Sequence, residues 1–110
     1  MAITSTQSKV PASAVNIALG RYIDTGTVAA FTITLGFKPR YVKVQNVAAS
    51  AVTFEWYEGM ADASAVKTAV TGDKTIVTVN GITPTEKGFT LGLDTSINIT
   101  SEQLSWLALG

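Results

Sequence analysis

The side chains able to do chemistry in this chain are few in kind. Its 110 residues hold eight carboxylates and eight basic groups, but no histidine and no cysteine. Without His the commonest general base and metal ligand is gone. Without Cys there is no thiolate nucleophile, no thiolate zinc site, no iron–sulfur ligation and no disulfide. The carboxylates are Asp24, Glu55, Glu58, Asp62, Asp73, Glu86, Asp94 and Glu102. A glycosidase needs two of them facing one scissile bond. Glu55 and Glu58 fall on opposite faces of an extended strand, so they do not pair by period. A calcium loop needs acids at alternating positions and a closing Glu. Asp62-Ala63-Ser64 and Asp94-Thr95-Ser96 each offer one acid. Neither the dinucleotide fingerprint nor the Walker pattern occurs. The inventory argues against an enzyme and implies no cofactor and no metal.

Binding chemistry is equally sparse. Lys38, Arg40 and Lys43, with Tyr41 among them, form the one basic cluster and a candidate contact for an acidic surface. The formal net charge is zero, whereas nucleic-acid binders show a basic excess because counterion release drives their affinity. Asn98-Ile99-Thr100 matches a glycosylation acceptor. The first residues lack the charged and apolar regions of a signal peptide, so a chance match is expected. No apolar run approaches the roughly 18 to 20 residues that span a bilayer. The expected partners therefore exclude nucleic acid and membrane.

The elements that position these groups are β-strands. Apolar and polar residues alternate in Phe31–Leu35, Arg40–Gln45, Val52–Tyr57 and Leu104–Leu109, the period of a half-buried strand. Further strands are expected at Thr75–Val79, Gly88–Gly92 and Ser96–Thr100. Met60–Val70 reads as loop with irregular strand rather than helix. Asn80-Gly81 is a turn signal, and Thr83–Lys87 reads as a loop. Strand character begins at Tyr22. Residues 1–16, rich in Ser, Thr and Ala, form an extended N-terminal arm, and 17–110 a single domain. The fold class is all-β, an antiparallel β-sandwich or jelly-roll-like barrel. Its expected core is Phe31, Ile33, Val42, Val44, Phe54, Trp56 and Trp106.

Several stretches together carry a resemblance. They are Gly36-Phe37-Lys38-Pro39-Arg40-Tyr41-Val42-Lys43-Val44, Glu55-Trp56-Tyr57-Glu58-Gly59-Met60, Gly88-Phe89-Thr90-Leu91-Gly92 and Leu104-Ser105-Trp106-Leu107-Ala108. A Gly-Phe-x-Pro turn before a Val-rich strand, then a Gly-Phe-Thr strand and a closing apolar-aromatic strand, resembles small virion proteins of tailed bacteriophages. Roughly residues 20–109 take part. The resemblance implies a capsid decoration (cement) protein on the outer capsid surface, assembled in the bacterial host cytoplasm. Its implied partners are the major capsid protein and its own copies, as a trimer. The alternative is a receptor- or glycan-binding module of a tail tip or head fibre. No catalytic residue is implied.

Composition points the same way. The chain is 46% hydrophobic and only 15% charged, against about 25% charged in ordinary domains. Its mean hydropathy is +0.29. Apolar residues in excess of one small core belong to subunit contacts. The candidate interface residues are Ile3, Val10, Tyr22, Tyr41, Tyr57, Met60, Leu107 and Leu109. The arm is expected to order on contact with the capsid.

Overall fold

The computed structural model describes residues 16–110. Eight strands follow in order: β1 (Ile17–Tyr22), β2 (Phe31–Thr34), β3 (Tyr41–Asn46), β4 (Thr53–Tyr57), β5 (Ser64–Thr68), β6 (Lys74–Thr85), β7 (Gly88–Leu91) and β8 (Leu104–Leu109). No helix occurs among the described residues. All neighbours are antiparallel, in one sheet of order β1-β8-β3-β4-β5-β6-β7-β2. The all-β antiparallel expectation holds. Its form is a single sheet curled into a half-barrel.

Alternation sets which side chains fill the curl. In β3 every second residue is buried, and Val42, Val44 and Asn46 face inward. Their cross-strand partners Trp56 and Phe54 on β4, and Ala108, Trp106 and Leu104 on β8, share that face. From the other half come Phe89, Leu91 and Ile82, all fully buried. The halves meet where Phe89 and Trp106 pack edge-on with ring centroids 5.7 Å apart. Every expected core residue lies in or against this cluster. Fully burying one such side chain contributes about 1.5–3 kcal/mol.

Two strand ends need separate explanation. β6 pairs with β5 through Lys74–Val77 and with β7 through Ile82–Thr85. The chain bends between these halves, where Asn80 adopts φ 57°. The Asn80-Gly81 signal is thus a mid-strand bend and not a hairpin turn. Thr83–Thr85, expected as loop, is strand, and the turn is confined to Glu86 and Lys87. Ser96–Thr100, expected as strand, is a run of turns. The Asp94 carboxylate accepts from the Ser96 N–H at 2.9 Å and curls the backbone there. Ile97, fully buried, plugs the end of the half-barrel, and its carbonyl accepts from the Asn46 amide at 2.9 Å.

That end also ties the two edge strands together. The 23–30 connection runs from β1 to β2, the opposite edges of the sheet. It is held from the 98–101 segment. The Asn98 amide donates to the Ala29 carbonyl at 3.1 Å, and the Ser101 N–H to the Asp24 carbonyl at 2.7 Å. Asn98 is therefore a buried structural residue and not an accessible glycosylation acceptor.

β1 itself begins before the expected start of strand character. Ala18, Gly20 and Tyr22 point inward, while Ile17, Leu19 and Arg21 point outward. A side chain at Gly20 would overlap the Trp106 indole, so only glycine lets β1 pass over that ring.

Candidate functional site

The outer face of β1, β8, β3 and β4 gathers the predicted residues. Antiparallel register places Ile17, Leu109, Tyr41 and Tyr57 in one row across four strands. The next row is Leu19, Leu107, Lys43 and Glu55. The third, Arg21, Ser105, Gln45 and Thr53, is polar. Ile17 and Leu109 of the first row and Leu19 and Leu107 of the second form an apolar band on β1 and β8, with Leu19 74% exposed and Ile17 58%. On β2, β7 and the second half of β6 the outward residues are Thr32, Thr34, Thr83, Thr85 and Thr90, whereas the Glu55 row continues through Val66 on β5 to Ile76 on β6. Thr32 and Thr90 share a hydroxyl hydrogen bond of 2.8 Å. Exposed apolar side chains occur elsewhere as well: Ile76 and Val79 on β6 are 63% and 69% exposed, and Val70 is 69% exposed.

Glu55 fixes the tyrosines of the band. Its carboxylate accepts from the Tyr41 hydroxyl at 2.7 Å and from the Tyr57 hydroxyl at 3.3 Å. The two rings meet edge-on with centroids 5.1 Å apart. Burial, then the bond to Glu55, pushes the Tyr41 hydroxyl well above the usual phenol range. The Glu55 charge, then burial, raises Tyr57. Both stay neutral donors, and the rings are held in place. Glu55 was readable only as an outward strand residue. Its role appears once Tyr41 is set opposite Tyr57, because residue 55 then lies on the same face, two positions away.

At the rim of this face lie two hollows separated by the Arg40–Glu58 ion pair at 3.5 Å. One, of about 440 Å³, lies against Tyr41, Tyr57 and Leu109. The other, of about 330 Å³, is lined by Lys38, Trp56, Met60, Asp62 and Pro84. Met60 belongs to this second hollow, and its Sδ accepts from the Tyr57 N–H at 3.3 Å. It does not join the apolar rows.

Other predicted residues separate. Tyr22 faces inward and stacks on Phe31, so it belongs to barrel closure and not to the outer face. Ile3 and Val10 lie outside the described residues. The basic cluster does not form a patch. Lys38 pairs with Glu86 at 3.5 Å, Arg40 pairs with Glu58, and Lys43 stands opposite Glu55 on the outer face. Each positive charge has a carboxylate neighbour.

A Ser–Lys nucleophile spacing is expected to be absent, yet the sequence holds one: Ser64-Ala65-Val66-Lys67 has that interval. The structure separates its members. The Ser64 hydroxyl donates to the Ala61 carbonyl, and the Lys67 ammonium pairs with Asp94 at 3.5 Å. Among the described residues no three His, Cys, Asp or Glu side chains gather as metal ligands.

The chain matches no protein-family model, no curated protein and no solved structure at a significant level.

Proposed function

We propose that this protein is a structural virion protein of a tailed bacteriophage, a decoration or cement subunit on the outer capsid surface. The observation that carries the reading is the apolar band of Ile17, Leu19, Leu107 and Leu109 beside Tyr41 and Tyr57. An exposed apolar band with polar surroundings is the signature of a surface covered by a partner. Aromatic side chains held rigid at its margin are the residue type enriched in such contacts. The placement on a phage head comes from the resemblance of the Gly36–Val44, Glu55–Met60, Gly88–Gly92 and Leu104–Ala108 stretches. In this reading the band meets the major capsid protein or a neighbouring copy, and a trimer is the assembly the resemblance implies. Binding the expanded shell alone would stabilise it by mass action.

A second reading, a receptor- or glycan-binding module of a tail tip or head fibre, is favoured by one feature. The Tyr41–Tyr57 pair borders a hollow of about 440 Å³ with Arg40 and Glu58 at its rim. Immunogold labelling of phage particles carrying this chain separates the readings. Gold over the head is the expected result. Gold confined to the tail overturns the cement reading in favour of the second, and unlabelled particles overturn both.

A further inference from the structure

We propose that a second copy of this chain pairs edge to edge with β1, about a twofold axis at Leu19. The inference sets a twofold contact in place of the trimer of the preceding reading; it stands on β1 alone and holds whether or not the protein is part of a virion.

Among the described residues β1 has a hydrogen-bonded neighbour on one side, β8. The Asn16 carbonyl accepts from the Gly110 N–H at 2.9 Å. Antiparallel pairs alternate between hydrogen-bonded and non-hydrogen-bonded positions. Counting along the register from Asn16, the residues bonded to β8 are Ala18, Gly20 and Tyr22. The N–H and C=O groups of Ile17, Leu19 and Arg21 therefore point away from β8, along the open edge. These are the residues whose side chains stand on the outer face, Leu19 and Ile17 among the most exposed apolar groups of the protein.

Edge strands that stay single carry proline, charged side chains, a bulge or a covering segment. β1 reads Ile-Ala-Leu-Gly-Arg-Tyr: it has no proline and no inward charge, Ala, Gly and Tyr face inward, and Arg21 is its single charge. The opposite edge, β2, is only four residues long and turns threonine outward.

The edge is also self-complementary. With Leu19 opposite Leu19 of a second copy, Ile17 faces Arg21 and Arg21 faces Ile17. The three pairs each exchange both backbone hydrogen bonds, and no arginine faces another. Leu107, Leu19 and their symmetry mates then form one continuous apolar row. The paired stretch ends at Arg21, one residue before the Tyr22–Phe31 stack on the inner side. Zero net charge removes the long-range repulsion between copies.

Cross-linking tests the contact directly, because the chain has no cysteine of its own. Opposite residues of a hydrogen-bonded antiparallel pair have Cα atoms about 5.5 Å apart, within disulfide reach. Under mild oxidation Leu19→Cys should give a covalent dimer, whereas Val79→Cys, exposed on β6, should not. Sedimentation of the unmodified chain should show a dimer at micromolar concentration. Leu19→Pro removes an N–H that β8 does not use and should weaken association at least about tenfold with the β spectrum retained. If that variant unfolds, Leu19→Lys replaces it, with the same loss expected. A chain that stays monomeric throughout, an oligomer unaffected by the position 19 variants, or equal cross-linking at Val79 overturns the proposal. So does a trimer without a Leu19→Cys cross-link, since a threefold axis cannot set Leu19 against itself.

Discussion

Tyr22 and Phe31 stack face to face, with ring centroids 3.7 Å apart and planes 10° from parallel. They belong to β1 and β2, the two edges of the sheet, which share no backbone ladder. The stack is therefore a side-chain closure of a barrel that hydrogen bonds leave open. Truncating either ring removes the contact and the apolar surface behind it.

Tyr22→Ala and Phe31→Ala should each destabilise the fold by about 2–4 kcal/mol, toward the low end of buried aromatic truncations because both rings are half-buried. A double-mutant cycle by urea unfolding should give a coupling of about 1 kcal/mol. Tyr22→Phe keeps the stack and loses only the long hydroxyl contact to Asp24 at 3.4 Å, so it should stay within about 0.5 kcal/mol of the parent. Zero coupling would mean that the rings touch without holding the edges together.

Trp56 is 5% exposed, and its indole N–H donates to the Ala61 carbonyl at 3.2 Å. It joins the core to the 58–63 connection beside the charged hollow. Trp56→Ala should cost about 3–5 kcal/mol, read from the unfolding midpoint at constant slope. A negligible change in stability would contradict its inward placement on β4.

How much of this was legible depends on whether alternation and burial agree. In Val52–Tyr57 and Arg40–Gln45 the large apolar residues are the inward ones, so period alone located strand, face and core. β1 reverses that relation. Its inward set is Ala18, Gly20 and Tyr22 because Trp106 already fills the space, and its large aliphatics face out. No local pattern distinguishes that from an arm. Ser96–Thr100 fails the other way. Ser-Ile-Asn-Ile-Thr alternates like a strand, but Asp94 curls its backbone and Asn98 spends its amide on Ala29. Pro84 signalled a loop, yet beyond Ile82 β6 has β7 as its one neighbour, and an edge position tolerates proline. On the outer face Tyr41, Tyr57, Leu107 and Leu109 were readable as outward residues. Ile17 and Leu19, which complete the band, required β1 to be recognised first.

The Asp94 carboxylate, bonded by Ser96 and paired with Lys67, gives acid sensitivity a specific source. Burial alone would raise the Asp94 carboxyl. The Ser96 hydroxyl and N–H and the Lys67 ammonium outweigh it and hold the group below its ordinary value of 3.8. A carboxylate lowered in the folded state adds stability above its unfolded value and loses it as pH falls through the folded one. Stability from Asp94 should thus be constant at neutral pH and decline below about 3.8. Asp94→Asn should be less stable than the parent at pH 7, with the gap closing toward pH 3. An equal gap at both pH values would remove Asp94 from the acid transition.

The tyrosines should respond at the alkaline end. Burial leads the upward shift of Tyr41 and the charge of Glu55 leads that of Tyr57. A phenol raised on folding keeps its contribution below the ordinary value of 10.0 and surrenders it as pH rises beyond that point. Stability should therefore fall above about pH 10, while the folded protein resists ionisation of both rings. Glu55→Gln deletes the charge and keeps an acceptor. Ultraviolet absorbance titration should then show Tyr57 ionising closer to its ordinary value, since the Glu55 charge is its leading cause. Tyr41 should move less, because its burial remains. If Glu55→Gln left both titrations where they were, the carboxylate would not be what orders this pair, and the rigidity of the outer face would need another source.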